Sequence, residues 1–158
     1  MAHWKQRETF FSEYELTVTL PGRWQMRPSG DPAQWLYRSA EKHKEHVTLI
    51  REETDALIGQ EEAAYQKIIQ RRRRAIELGF GRNIDLTLSP LASGERAGGK
   101  SFAFRGEAPA LGHRFEALFL CQPRTVWTLV YDAFRLTPEQ VEDRTQVIFA
   151  SIVMEAMC

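Results

Sequence analysis

At 158 residues the chain has the length of one domain, and such a domain buries roughly 68–70% of its unfolded surface, so neither a disulfide framework nor a structural metal is needed. Lysine plus arginine and aspartate plus glutamate number 21 each, which excludes a global field drawing the protein to nucleic acid or anionic lipid. Two distant cysteines, Cys121 and Cys158, and an amino terminus without an apolar leader suit a reducing compartment. No run approaches the roughly 20 apolar residues of a membrane span, so the expectation is a cytoplasmic protein without membrane insertion.

Residues 10–20 predict a strand, because Tyr14, Leu16, Val18 and Leu20 alternate with Glu13, Glu15, Thr17 and Thr19. Pro21-Gly22 makes a turn, Trp24 and Met26 resume the apolar side, and Pro28 to Pro32 form a second turn. Trp35 and Tyr37 mark a short strand, Glu41 to Glu45 a charged tip, and Val47 to Ile50 the next strand of an antiparallel meander. The period then changes. Over 55–78, Leu57, Ala64, Ile68, Ala75 and Ile76 recur at helical spacing, and Gly79 and Gly81 supply the stop.

Strands return over 84–134. Ile84 to Leu88 ends at Pro90, Leu91 to Lys100 reads as a loop or hairpin tip, and the strand opened by Phe102 and Phe104 breaks between Gly106 and Gly112. Phe115 to Cys121 and Thr125 to Phe134, joined by Gln122-Pro123-Arg124, are apolar on both faces and demand cover above and below. Thr137-Pro138-Glu139-Gln140 is a helix start. Thr137 caps the first amides, Pro138 fits the first helical position and Gln140 closes a capping box. The stripe Val141, Thr145, Ile148, Ile152 and Ala156, widened by Phe149 and Val153, carries a helix near 138–157. The sum is one α+β domain over 1–158, an α/β/α sandwich with a mainly antiparallel sheet of about six to seven strands.

The stretch Leu20-Pro21-Gly22-Arg23-Trp24, followed by a meander, a long helix, a larger meander and a closing helix, resembles the PsbP-like superfamily of α/β/α sandwiches. That superfamily includes the photosystem II extrinsic protein, a Ran GTPase-binding factor and bacterial DcrB-type proteins, some of them effector-associated chaperones of type VI secretion. The resemblance implies a binding protein rather than an enzyme and carries no catalytic motif.

The residues themselves point the same way. His43 and His46 have a helical metal-ligand spacing, but they fall in a lysine-flanked tip, and no metal is expected. His113 reads as a strand-edge residue, and Cys121, in apolar surroundings, as an inert buried thiol. Gly79-Phe80-Gly81-Arg82 follows a helix instead of joining a strand to one, so it is no dinucleotide fingerprint. In Arg71-Arg72-Arg73-Arg74, steps of about 100° spread the side chains around the axis. Arg72 then lies near the apolar stripe with its head free to reach a carboxylate, and the run sits where the helix dipole favours positive charge.

The expected catalytic set is therefore empty, and no cofactor is expected. The candidate partner-binding residues are Trp24, Trp35, Tyr37, Arg71, Arg73 and Arg74, with the aromatics serving as surface or core according to register. The expected partner is another protein; a homodimer would cover open strand edges, and nucleic acid ranks last. The alternative is a small-molecule or lipid-binding protein with a pocket between sheet and helix, lined by such groups as His113, Arg114, Glu116 or Tyr131.

Overall fold

The computed structural model describes residues 8–14, 16–41, 44–55, 57–81, 83–96 and 99–154. In chain order the elements are β1 (Glu8–Glu13), β2 (Leu16–Pro21), β3 (Trp24–Arg27), β4 (Gln34–Ser39), β5 (Glu45–Glu53), α1 (Glu61–Phe80), β6 (Thr87–Arg96), β7 (Gly99–Ala108), β8 (His113–Gln122), β9 (Thr125–Phe134), α2 (Pro138–Ala150) and β10 (Val153–Met154). They form a seven-stranded sheet ordered β3-β4-β5-β9-β8-β7-β6 and a three-stranded sheet ordered β1-β2-β10. Every pairing is antiparallel, and the class is α+β.

The central pair β8–β9 organises the layers. Phe115, Ala117, Phe119, Cys121 and Val126 face α1, which buries Tyr65 and Ile68 against them. Leu118, Leu120, Trp127, Leu129, Tyr131 and Ala133 face the other way. That second face is covered jointly by Val141, Ile148 and Phe149 of α2 and by Phe11, Leu16, Val18 and Leu20 of the small sheet. The alternation therefore holds, but a sheet shares with a helix the task of covering the second face. At about 25 cal/mol per Å² of apolar surface, this double burial dominates the stability of the fold.

Several expected boundaries move. The strand expected over 10–20 is a hairpin. Tyr14 takes a left-handed turn (φ 47°), so Phe11 pairs with Val18 in a sheet separate from the seven-stranded one, and the described residues hold ten strands in two sheets. Helix α1 begins at Glu61, leaving Leu57 outside it and exposed, and runs to Phe80 before Gly81 leaves at φ 82°. Arg71 to Arg74 consequently lie mid-helix, with no basic residue in the last turn, and the dipole argument for them fails.

Strand β6 continues through Pro90 to Arg96 with a bulge between Leu91 and Gly94, as an edge strand permits, since proline's missing donor can face outwards. Strand β7 likewise runs on through Gly106, and the break falls at the short 3₁₀ turn Pro109–Leu111. The expected charged tip loses Glu45, which opens β5 fully buried. Helix α2 stops at Ala150, and the chain turns back to pair Val153 with Thr17. Its start is the capping box expected: Gln140 N–H donates to Thr137 Oγ1 (3.1 Å) and Thr137 N–H to Gln140 Oε1 (2.9 Å). His43, Arg82, Gly98, Ala156 and Cys158 lie outside the described residues.

Candidate functional site

Helix α1 packs on β7–β8–β9, and among the described residues no helix covers the same face of β3–β4–β5. Directly opposed residues of antiparallel strands share a face, so one row runs Arg38, His46, Asp132, Phe115 across β4, β5, β9 and β8. The next row runs Arg27, Leu36, Thr48, Val130 and Ala117 across β3, β4, β5, β9 and β8. Beneath the last turns of α1 these rows meet a pocket of about 410 Å³. Its walls are Ile76 and Phe80 from the helix, Phe115, Val130 and Phe134 from the sheet, and Leu111 at the rim.

The rings in this pocket stack. His113 lies on Phe134 with centroids 4.4 Å apart and planes 14° from parallel, and Phe80 stands 5.2 Å from His113 and 6.0 Å from Phe115. The polar floor is a three-residue unit. Asp132 Oδ1 is 3.2 Å from His113 Nε2 and 3.3 Å from His46 Nδ1. Burial by itself would raise the Asp132 pKa, but hydrogen bonds from His113 and His46, with their charges, hold it below the usual value. An ionised carboxylate only accepts, so both rings turn N–H groups towards it. Among the described residues no three His, Cys, Asp or Glu side chains are placed to hold a metal ion. Asp132 also borders a second depression of about 440 Å³ over the uncovered strands, where Arg27, Arg38 and His46 project.

Two larger depressions, of about 600 and 650 Å³, flank the amino-terminal half of α1. Neither is walled by stacked rings. The second contains Lys100 and Glu62 paired at 2.5 Å beside Cys121, whose thiol is pushed up to about 12, by burial first and then by the Glu62 charge. A thiol so raised is protonated at neutral pH and is no nucleophile.

The residues singled out in sequence scatter. Trp24 and Tyr37 are buried, and Trp35 is half-buried, packing on Phe11 and Trp127 at 5.2 and 5.6 Å. The meander aromatics therefore face inward and serve as core. Arg71 and Arg72 both reach Glu52 of β5, Arg72 through Nε at 2.8 Å. Arg73 leans the other way, 5.9 Å from the Phe104 ring centre, and Arg74 is exposed. The run is thus a fan in which Arg71 and Arg72 share Glu52, while Arg71, Arg73 and Arg74 all remain exposed to solvent.

Of the four polar groups proposed for a pocket, His113 lines it. Strand alternation turns Arg114, Glu116 and Tyr131 to the α2 side, where Glu116 accepts from Arg105 (2.6 Å) and Arg114 donates to the Leu136 carbonyl (2.7 Å). Sequence reasoning missed Asp132 and its link to His46. The available signal was a carboxylate at an inward position of an otherwise apolar strand.

No protein-family model matches the sequence, and comparison with curated proteins gives no match. Solved structures do match. Cyanobacterial PsbP (CyanoP) from Synechocystis sp. PCC 6803 superposes with a TM-score of 0.64 at 10% identity, covering 94% of this chain and 93% of its own. The fold is PsbP-like. LpqN, described as involved in cell envelope biogenesis of Mycobacterium tuberculosis, matches with a TM-score of 0.60 at 12% identity over 94% of this chain and 91% of its own. At these identities the likeness concerns the PsbP-like backbone alone and transfers no site residue.

Proposed function

We propose that this PsbP-like protein is a non-catalytic binding protein that shelters an apolar chain or ring between α1 and the sheet. One observation carries the reading: the pocket under Phe80 is walled by apolar and aromatic side chains, and its polar floor is confined to His113 and Asp132, whose Oδ1 is shared with His46. A volume of about 410 Å³ falls within the range of ligand sites, which usually combine apolar walls with a few fixed polar groups.

The test is titration with the uncharged dye N-phenylnaphthylamine, read by fluorescence. Leu111→Asp places a charge at the half-exposed rim and should weaken dye binding about tenfold, whereas Leu57→Asp, outside the pocket, should not. A dye that fails to bind, or that ignores Leu111→Asp, sinks the reading.

Protein binding, including the effector-chaperone form, is the second reading. It draws on β1, an edge strand of the small sheet with Phe10 61% exposed and Tyr14 57% exposed beside it. Trp24 and Tyr37 are core and add nothing to such a surface. A chaperone of this kind would copurify with an apolar helical segment, and Phe10→Lys would abolish that copurification.

A further inference from the structure

We infer that the ligand of this pocket is an amphiphile with an acidic head group, its tail beneath α1 and its carboxylate or phosphate held by Arg38 and Arg27 on the uncovered strands. The inference rests on the pocket reading above and adds the chemistry of the head. Three observations place it. The apolar pocket and the depression over β3–β4–β5 both border Asp132, so they adjoin at that side chain. Arg38 stands directly across from His46, while Arg27, opposite Leu36, is its diagonal neighbour on β3, about 7–8 Å away by strand geometry. That gap suits one oxyanion accepting from two guanidinium forks.

The charge balance of this face supplies the third observation. Among the described residues neither the Arg27 nor the Arg38 side chain makes an ion pair or hydrogen bond, whereas eight other lysine or arginine heads and two histidine rings do pair with carboxylates. Glu52, further along β5, is occupied by Arg71 and Arg72. Asp132 is screened by the two histidines that donate to it. A chain with no net charge thus presents a local cationic pair beside an apolar pocket, which selects for an acid joined to a hydrocarbon.

Strand spacing sets the length of that ligand. From Phe115 on β8 to Arg38 on β4 is three strand spacings, about 14 Å at about 4.8 Å each. A medium-length alkyl chain spans that distance, whereas inorganic phosphate would meet the arginines alone.

Competition against the bound dye tests the assignment. Decanoate and decyl phosphate should displace N-phenylnaphthylamine at concentrations about tenfold lower than decanol, and added salt should shrink that preference. In the Arg27→Gln/Arg38→Gln double variant the ratio of acid to alcohol should fall towards one. The ratio is internal to each protein, so a general loss of affinity in the variant does not imitate the result. Equal competition by acid and alcohol, or a preference that survives the double substitution, overturns the head-group assignment and leaves the pocket reading standing. A dye that does not bind overturns both.

Discussion

Glu45 and Arg144 lie 99 positions apart in sequence and meet through two hydrogen bonds of 2.7 Å, Arg144 Nε to Glu45 Oε2 and Nη2 to Oε1. Tyr131 adds a third, its hydroxyl donating to Glu45 Oε2 at 2.7 Å. Burial first, and then the bond to Glu45, push the Tyr131 pKa up, so it remains a donor through the physiological range. The cluster ties β5, β9 and α2 together at a carboxylate with no solvent exposure.

Removing one partner of a buried pair leaves the other charge uncompensated. Arg144→Met should therefore cost about 3 kcal/mol, while Glu45→Gln/Arg144→Met should recover part of that loss. Urea unfolding of the two variants measures it. A single variant as stable as the wild type would show that the pair contributes nothing beyond geometry.

The capping box is a smaller and cleaner case. Thr137→Ala removes the oxygen that satisfies the Gln140 amide and should destabilise the protein by about 1 kcal/mol. For a chain of this length that is roughly 2–4 °C in thermal midpoint. Thr137→Ser should restore most of it, which separates the hydrogen bond from the methyl group.

These two clusters mark what the sequence could and could not disclose. Thr137 and Gln140 are three residues apart and interact locally, so their residue types alone announced the helix start. Glu45 looked like a solvated tip because it follows Lys44; only its pairing with a residue on α2 shows that it is buried. The hairpin at Tyr14 was hidden for a related reason. Its turn uses a tyrosine at φ 47°, where glycine or asparagine would have been the sign. His46, His113 and Asp132 are isolated in sequence and become a unit through strand register alone, whereas the helical stop at Gly81 was local and therefore legible.

Asp132 gives the site a pH signature. Its folded value lies below the ordinary 3.8, so its contribution to stability is present in full above that value and is lost as pH falls through the folded one. Asp132→Asn never has this contribution. Unfolding free energies of wild type and variant should differ most above the ordinary carboxylate range, and the difference should shrink as pH falls below 3.8. Parallel curves across that window would show that the histidines do not stabilise the ionised form.

Cys121 should behave as core. With its thiol at about 12, the reactive thiolate is scarce at neutral pH, and the side chain is 2% exposed. Labelling by iodoacetamide, followed at this residue by peptide mass spectrometry, should proceed at the rate of global opening and accelerate in urea. Labelling of the native protein at the rate of a free thiol would place Cys121 at an accessible surface.

Gly106 tests the pocket from behind. It lies opposite Phe115 on β7, and a Cβ built there would meet Phe115 Cζ at 2.1 Å, so the ring occupies the space that a side chain would take. Gly106→Ala must therefore move the ring or the strand. Overpacking of this kind costs typically about 1–3 kcal/mol. Phe115 is a wall of the pocket beside Asp132, and its displacement should reduce dye affinity by more than the loss of stability alone accounts for. Measured at a temperature where the variant remains folded, unchanged dye affinity with lowered stability would mean that the ring yields away from the pocket. A variant of wild-type stability would show that the close approach of Phe115 to the β7 backbone is not required by the fold.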